Sequence, residues 1–149
     1  NIIKWYSLDM GINAITLKLF DTYGPNDNRK KIFSLLREHR DKNVEIKMTK
    51  GEQILYPVHI KDIVNGFEIA YNNLNNKVRY HNAVFSLYSE PVSLFNLVNM
   101  WNNNSKNKIT VKWGAIPYRK SQIMKPFLGK LLPGWSPSVK INEGILDTI

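Results

Sequence analysis

The chain predicts an α/β fold made of small mixed sheet segments and several helices. Three observations carry that expectation. Short aliphatic or alternating runs at residues 15–19, 44–48 and 83–87 have strand periodicity. Longer runs keep i, i+3, i+4 spacing, most clearly Ile60, Ile63, Val64, Phe67, Ala70, Tyr71 and Leu74. The two kinds alternate along the chain, as strands backed by helices do. The 149 residues are expected to form one domain, 1–149, burying about 70% of the unfolded chain's surface.

In order, Ile2, Ile3, Tyr6 and Met10 share a helical face, and Gly11 follows as a C-terminal cap. The pattern opens without an N-cap, as the tail of a longer helix would. Residues 14–20 then read as a strand with Ile15, Leu17 and Leu19 on an aliphatic face. Gly24-Pro25 ends it and leaves Asp21, Thr22 and Tyr23 at its C-terminal end. Open α/β sheets bind ligands at that edge.

Asn26-Asp27-Asn28 offers N-caps for a helix carrying Ile32, Phe33, Leu35 and Leu36 to about Arg40. Arg29, Lys30 and Lys31 would then fall in its first turn, against the helix dipole, and a bound anion would offset that cost. Residues 44–48 read as a strand, Lys50-Gly51-Glu52 as a turn, and 54–58 as a short strand whose Pro57 marks an edge or an end. In the long helix from Ile60, Asp62 occupies the first turn, where the dipole favours an acid. His59 just before it is expected in a hydrogen-bonded structural role.

Residues 83–87 read as a second buried strand. Ser93 caps a helix with Leu94, Leu97, Val98 and Trp101 on one face, and 110–113 is a short strand. From 114 to 137 the pattern is irregular, broken by Pro117, Pro126, Pro133 and Pro137. Asn142 can cap a last helix carrying Ile145, Leu146 and Ile149. The asparagines at 72, 73, 75, 76 and 102–104 read as loops.

Composition narrows the chemistry. Lys and Arg number 21 against 12 acids, a net charge of +9, which allows nucleic acid, anionic membrane or phosphorylated small molecules as partners. The basic residues are scattered, and a nucleic-acid stripe is denser. With no cysteine there are no disulfides, thiolate metal sites or cysteine nucleophiles, and a reducing compartment fits. His39, His59 and His81 lack metal-ligand spacing. No apolar run approaches the ~20 residues of a membrane span, and the N-terminus does not read as a signal peptide. No Gly-x-Gly-x-x-Gly turn occurs, none of the tyrosines is followed four residues later by lysine, and there is no nucleophile-elbow motif.

Residues 17–25, Leu-Lys-Leu-Phe-Asp-Thr-Tyr-Gly-Pro, resemble the Leu-Arg-x-Phe-Asn-x-Tyr-Gly-Pro segment of the NAD(P)-dependent sugar epimerase/dehydratase family, the extended short-chain dehydrogenases. Further segments resemble that family in the same order. Gly51-Glu52-Gln53 and Val58-His59-Ile60-Lys61-Asp62-Ile63-Val64 are similar to its Gly-x-Gln and Val-His-Val-x-Asp-Val-Val, with Leu55 where an Arg is frequent. Phe85-Ser86-Leu87 resembles its Tyr-Asn-Ile strand, and Pro91-Val92-Ser93-Leu94 the helix start after it. Residues 113–119 align with a segment bearing a phosphate-contacting Arg. Residues 132–139 and 142–145 resemble the family's Leu-Gly-Trp-x-Pro-x-Val and Glu-Glu-Gly-Leu. Pro117-Tyr118-Arg119, Pro126-Phe127-Leu128 and Leu132-Pro133-Gly134-Trp135 look most like CDP-abequose-synthase-like 4-ketosugar reductases of surface-polysaccharide, or O-antigen, synthesis.

The resemblance covers nearly the whole chain but matches only the second half of such an enzyme. It implies the C-terminal, substrate-binding part of a Rossmann-type oxidoreductase, with hydride transfer at a sugar carbon. The acid/base Tyr and its Lys partner are expected just before Asn1, so no catalytic residue is expected in this chain. Asp21, Thr22, Lys31, Ile32, Ser86 and Arg119 are the implied substrate-binding residues, and Leu19 and Phe20 would face the nicotinamide. The implied cofactor is NAD or NADP, its main site outside this chain. Implied partners are a nucleotide-diphosphate sugar, the N-terminal Rossmann half and, as an option, a second copy, with neither membrane nor nucleic acid. A cytoplasmic location is implied too. A non-catalytic structural or regulatory domain and a basic nucleic-acid-binding module stay open as other classes.

Overall fold

The structure is a computed structural model that describes residues 2–75 and 80–149. It has the expected mixed α/β character, and among the described residues its strands associate in four pairs. β1 (Ile15–Leu19) lies parallel to β6 (Ala83–Leu87), in register Ile15 with Ala83 and Leu19 with Leu87. β2 (Thr22–Tyr23) is parallel to β5 (Val58–His59), and β3 (Ile46–Lys47) to β8 (Val111–Lys112). β4 (Ile54–Leu55) runs antiparallel to β7 (Val92–Ser93).

Two cores follow from the apolar periodicities. In the first, α3 (Ile60–Asn75) lays Ile63 and Ala70 on β1 and β6, against Ile15, Leu17, Phe85 and Leu87. Gly66 sets the approach of that helix, because a Cβ there would collide with Leu87. Leu132 and Trp135 close this core from the irregular segment. The second core gathers Phe33 and Leu36 of α2 (Ile32–Lys42) and Leu97, Val98 and Trp101 of α4 (Leu94–Asn104). Ile46, Met48, Ile109 and Ile145 complete it. Trp101 is fully buried, with Arg40 stacked over its ring at 5.6 Å and its Nε1 donating to the Thr148 carbonyl at 3.4 Å.

The chain ends in α5 (Ile141–Gly144) and a 3-10 turn, Ile145–Thr148, which two polar clamps fix. Arg37 donates to the Thr148 carbonyl at 2.9 Å and to the Asp27 carbonyl at 2.7 Å. His59 Nε2 meets the Asp147 carboxylate at 3.1 Å while Nδ1 accepts from the Lys61 amide, so the structural role expected for His59 holds. Asp62 is buried in the first turn of α3 and does more than answer the dipole. Its carboxylate accepts from the Ser138 amide at 3.0 Å, the Ser138 hydroxyl at 2.6 Å and the Val139 amide at 3.1 Å. Its carbonyl accepts from Trp135 Nε1 at 2.8 Å.

Some expectations change. α2 starts at Ile32 with Lys31 as N-cap residue, so Arg29, Lys30 and Lys31 precede the first turn rather than occupy it. Asp27 does not cap α2 because its carboxylate is engaged by the backbone and guanidinium of Arg29. The last helix is capped from Lys140, not Asn142. Asn72, Asn73 and Asn75 continue α3, and Asn102, Asn103 and Asn104 finish α4. Their outward amides find carbonyls (Asn73 on Pro133, Asn104 on Met100), so the apolar faces carry both helices through the asparagine runs. Asn76 and Asn1 lie outside the described residues. The strand expected at 54–58 splits in two around Tyr56-Pro57. α1 (Ile2–Asp9) ends at Gly11 with φ of +68°, as its cap role requires, but only Ser7 of that helix is buried. Among the described residues, no helix is long and apolar enough to cross a membrane.

Candidate functional site

A cavity of about 540 Å³ opens where β1 hands over to β2. The aliphatic alternation that makes β1 ends at Phe20. Asp21 and Thr22 therefore leave the sheet at its C-terminal edge, and Gly24 turns the chain away. The opposite wall is the start of α2. The amides of Ile32, Phe33 and Ser34 belong to its first turn and have no helical acceptor, since the first intrahelical bond runs from the Leu35 amide to the Lys31 carbonyl at 3.0 Å. All three residues line the cavity. Leu55, Pro57, Leu94 and Leu97 form its apolar floor.

The electrostatics of the rim leave a positive surplus. Arg29 is spent on Asp27 through bonds of 2.7 and 2.6 Å, and its remaining reach goes to the Thr22 carbonyl at 3.1 Å. Glu38 is paired with Lys42 at 2.7 Å. Lys30 and Lys31 make no ion pair among the described residues and face the cavity with Asp21 as the one unpaired acid of its wall. A helix N-terminus flanked by two available ammonium groups favours an anion. Tyr23 is buried beneath, its ring against Phe33 and His59 at 5.4 and 5.2 Å. Burial, with Asp62 and Asp147 nearby, raises the pKa of its unpartnered hydroxyl, which stays neutral and donates no charge to the site.

The Asp27–Arg29 pair holds the loop that carries the lysines. Its hydrogen bonds from Arg29 lower the Asp27 carboxyl from 3.8 to about 2. A depressed folded-state value means that ionised Asp27 stabilises the fold above the ordinary value, and that the contribution fades as pH falls from about 4 towards 2. The pair is exposed, so the effect on global stability is small. A titration of the Asp27 carboxyl carbon by NMR should give a midpoint near 2, returning to the ordinary range in Arg29→Ala. A midpoint near 4 in the parent would rule the pairing out.

Four of the residues singled out in the sequence, Asp21, Thr22, Lys31 and Ile32, meet at this cavity. Ser86 lines a separate trough on β6. Leu19 is exposed at the end of β1, and Phe20 packs edge-on against Tyr56 and Tyr88 at 5.8 and 5.9 Å. Arg119 is exposed in a turn whose carbonyl accepts from Gln122, and it lines neither hollow. The sequence reading missed the apolar floor, because β4, β5 and α4 reach the site only through tertiary packing. The charge triplet 29–31 was the readable signal for Lys30.

A cavity at the C-terminal end of a parallel strand, walled by a cationic helix start, is the ligand edge of the open α/β sheet class. The NAD dependent epimerase/dehydratase family model matches residues 1–85, and the chain belongs to that family. It is 29% identical over 125 residues to a CDP-abequose synthase of Yersinia pseudotuberculosis, an alignment covering 84% of this chain and 43% of that protein. Its fold is similar to a UDP-glucuronic acid 4-epimerase from Bacillus cereus solved with a fluorinated UDP-sugar and NAD. There the TM-score is 0.79 at 19% identity, over 96% of this chain and 46% of that one. A UDP-glucose 4-epimerase of Thermotoga maritima, solved with UDP-glucose, gives 0.78 at 20% identity, over 99% and 48%. At these identities the likeness is one of fold. The chain spans about half the length of the relatives it matches.

Proposed function

We propose that residues 1–149 are the substrate-recognition portion, the C-terminal half, of an NAD(P)-dependent nucleotide-sugar oxidoreductase. The observation that carries this reading is the cavity at the end of β1, where unpaired amides of α2 and the free ammonium groups of Lys30 and Lys31 converge. Those groups suit a diphosphate. Thr22 and Asp21 stand on the facing wall for sugar hydroxyls, and Ile32 with the leucine floor would cover an apolar ring face. Leu19 and Phe20, at the end of β1, are assigned to the cofactor side and Arg119 to an outlying substrate contact, while Ser86 lines a trough of its own and is left out of this cavity. NAD or NADP would supply hydride exchange at the sugar carbon, with the acid/base chemistry held by the companion Rossmann half. The family membership and the CDP-abequose synthase likeness support a nucleotide-sugar epimerase, dehydratase or 4-ketosugar reductase; a role in surface-polysaccharide synthesis, a cytoplasmic location and a homodimer belong to the proposal itself.

Calorimetric titration of the chain with CDP- and UDP-sugars tests this. A hydrogen bond to a charged group contributes roughly 1.5–3 kcal/mol. Lys31→Ala should therefore weaken binding about 10- to 100-fold with the fold intact. The chain alone should turn over no nucleotide sugar with NAD(P)H. Equal affinity in Lys31→Ala, or no binding of any nucleotide sugar, overturns the reading.

A further inference from the structure

A second hollow of about 860 Å³ lies on the other side of β1 and β6 and shares no residue with the first. Ile15, Leu17 and Phe85 turn towards α3, so alternation sends Lys18, Val84 and Ser86 to the opposite face. Register places Lys18 beside Ser86. The segment 125–130 folds over that face. The Ser86 amide donates to the Lys130 carbonyl at 2.7 Å, and Leu131 bridges to Ser86. Gly129, with φ of +74°, makes the approach possible, since a Cβ there would stand 2.9 Å from Ser86 Oγ.

The result is a trough whose charge has one sign. Lys18, Lys125 and Lys130 line it, no carboxylate does, and none of the three ammonium groups has a partner among the described residues. Ser86 is 1% exposed, and its hydroxyl makes no hydrogen bond among the described residues. The Ser86 hydroxyl faces the hollow unpartnered and can donate to an anionic acceptor held among these ammonium groups. The walls are aromatic. Tyr88 is held edge-on by Phe20 and Tyr56 at 5.9 and 6.1 Å, and Phe127 stands 88% exposed at the mouth. A few convergent polar groups between aromatic walls are the make-up of a small-molecule site.

We propose that this trough is a second ligand site, taking a phosphorylated small molecule that carries a planar ring. The phosphate sits among Lys18, Lys125 and the Ser86 hydroxyl, and the ring lies between Tyr88 and Phe127. The test is NMR titration of the 149-residue chain with adenosine 5′-monophosphate, and with ribose 5-phosphate as the ringless control. Saturable shifts are expected at the Ser86, Gly129 and Lys130 amides, unchanged in Lys31→Ala of the first cavity. The Lys18→Ala/Lys125→Ala double variant should weaken binding at least 10-fold. Phe127→Ala should reduce the monophosphate to the affinity of ribose 5-phosphate. Shifts confined to residues 29–34, or full affinity in the double variant, overturn the proposal. So does binding to phosphatidylserine vesicles that the monophosphate does not displace, which would make the face a lipid-binding surface instead.

Discussion

Asp62→Ala should lose about 1–3 kcal/mol of folding stability. The carboxylate is 1% exposed and accepts the Ser138 amide, the Ser138 hydroxyl and the Val139 amide at once. Truncation strands the Val139 amide, on a half-buried residue, at about 1–3 kcal/mol, whereas the amide and hydroxyl of Ser138 sit on an exposed residue and turn to water. The segment from Trp135 to Val139 is then held by the Trp135 indole on the Asp62 carbonyl and by packing alone. Asp62→Asn keeps one acceptor oxygen but turns an NH₂ group towards the other donors, so it should fall between parent and alanine. Urea unfolding measures all three. The midpoint should move while the slope stays constant. A loss under about 1 kcal/mol in Asp62→Ala would mean that water satisfies these donors and that the clamp does not stabilise the fold.

Trp101→Ala should cost more, by a different route. The ring is fully buried among Leu36, Leu97, Val98 and Ile145. Removing a buried Trp or Phe side chain typically costs about 3–5 kcal/mol, through lost transfer energy and the cavity left behind. The Thr148 carbonyl also loses its indole donor, though Arg37 still serves it. For a domain of this size each kcal/mol shifts the melting temperature by about 2–4 °C, so a fall of about 6–20 °C is expected. Trp101→Phe keeps most of the volume and should recover more than half of that fall. A melting temperature unchanged in the alanine variant would show that α2 and α4 do not depend on this contact.

The two losses report on different cores, and the sequence foreshadowed the cores unevenly. α3, α4, β1 and β6 were readable because each repeats an apolar pattern long enough to fix its period. β6 falls on residues 83–87 as expected, and Ser93 caps α4 through the Asn96 amide at 3.1 Å. β2 and β7 were not readable. Two residues cannot show a period, and both strands exist because Val58, Leu55 and Ile54 come alongside from elsewhere. The start of α2 was misread because Asp27 is a better cap than Lys31 by residue type. Its bond to Arg29 is a tertiary choice that propensity does not contain. Around the cavity, Asp21 and Thr22 could be placed from the strand pattern that ends before Gly24, whereas Lys31 and Ile32 were pointed to by the family resemblance. Leu94 and Leu97 reach the same cavity from a helix whose sequence says only that one face is apolar. The trough on the far face of β1 was illegible for the same reason. Lys18, Lys125 and Lys130 look like scattered surface charge until the register and Gly129 bring them together.

The strand pairing also sets a clock on synthesis. None of the four pairs is a hairpin, and β1 finds its partner only when residues 83–87 have been made. At a translation rate of about 5–20 residues per second, the Ile15–Leu19 strand waits roughly 3–14 s for β6. α3 can form within that interval, because its contacts along the chain are local. Until then the aliphatic face of β1 lacks the β6 edge beside it. Pausing the ribosome before residue 83 should therefore leave β1 more open to proteolysis than in the complete chain.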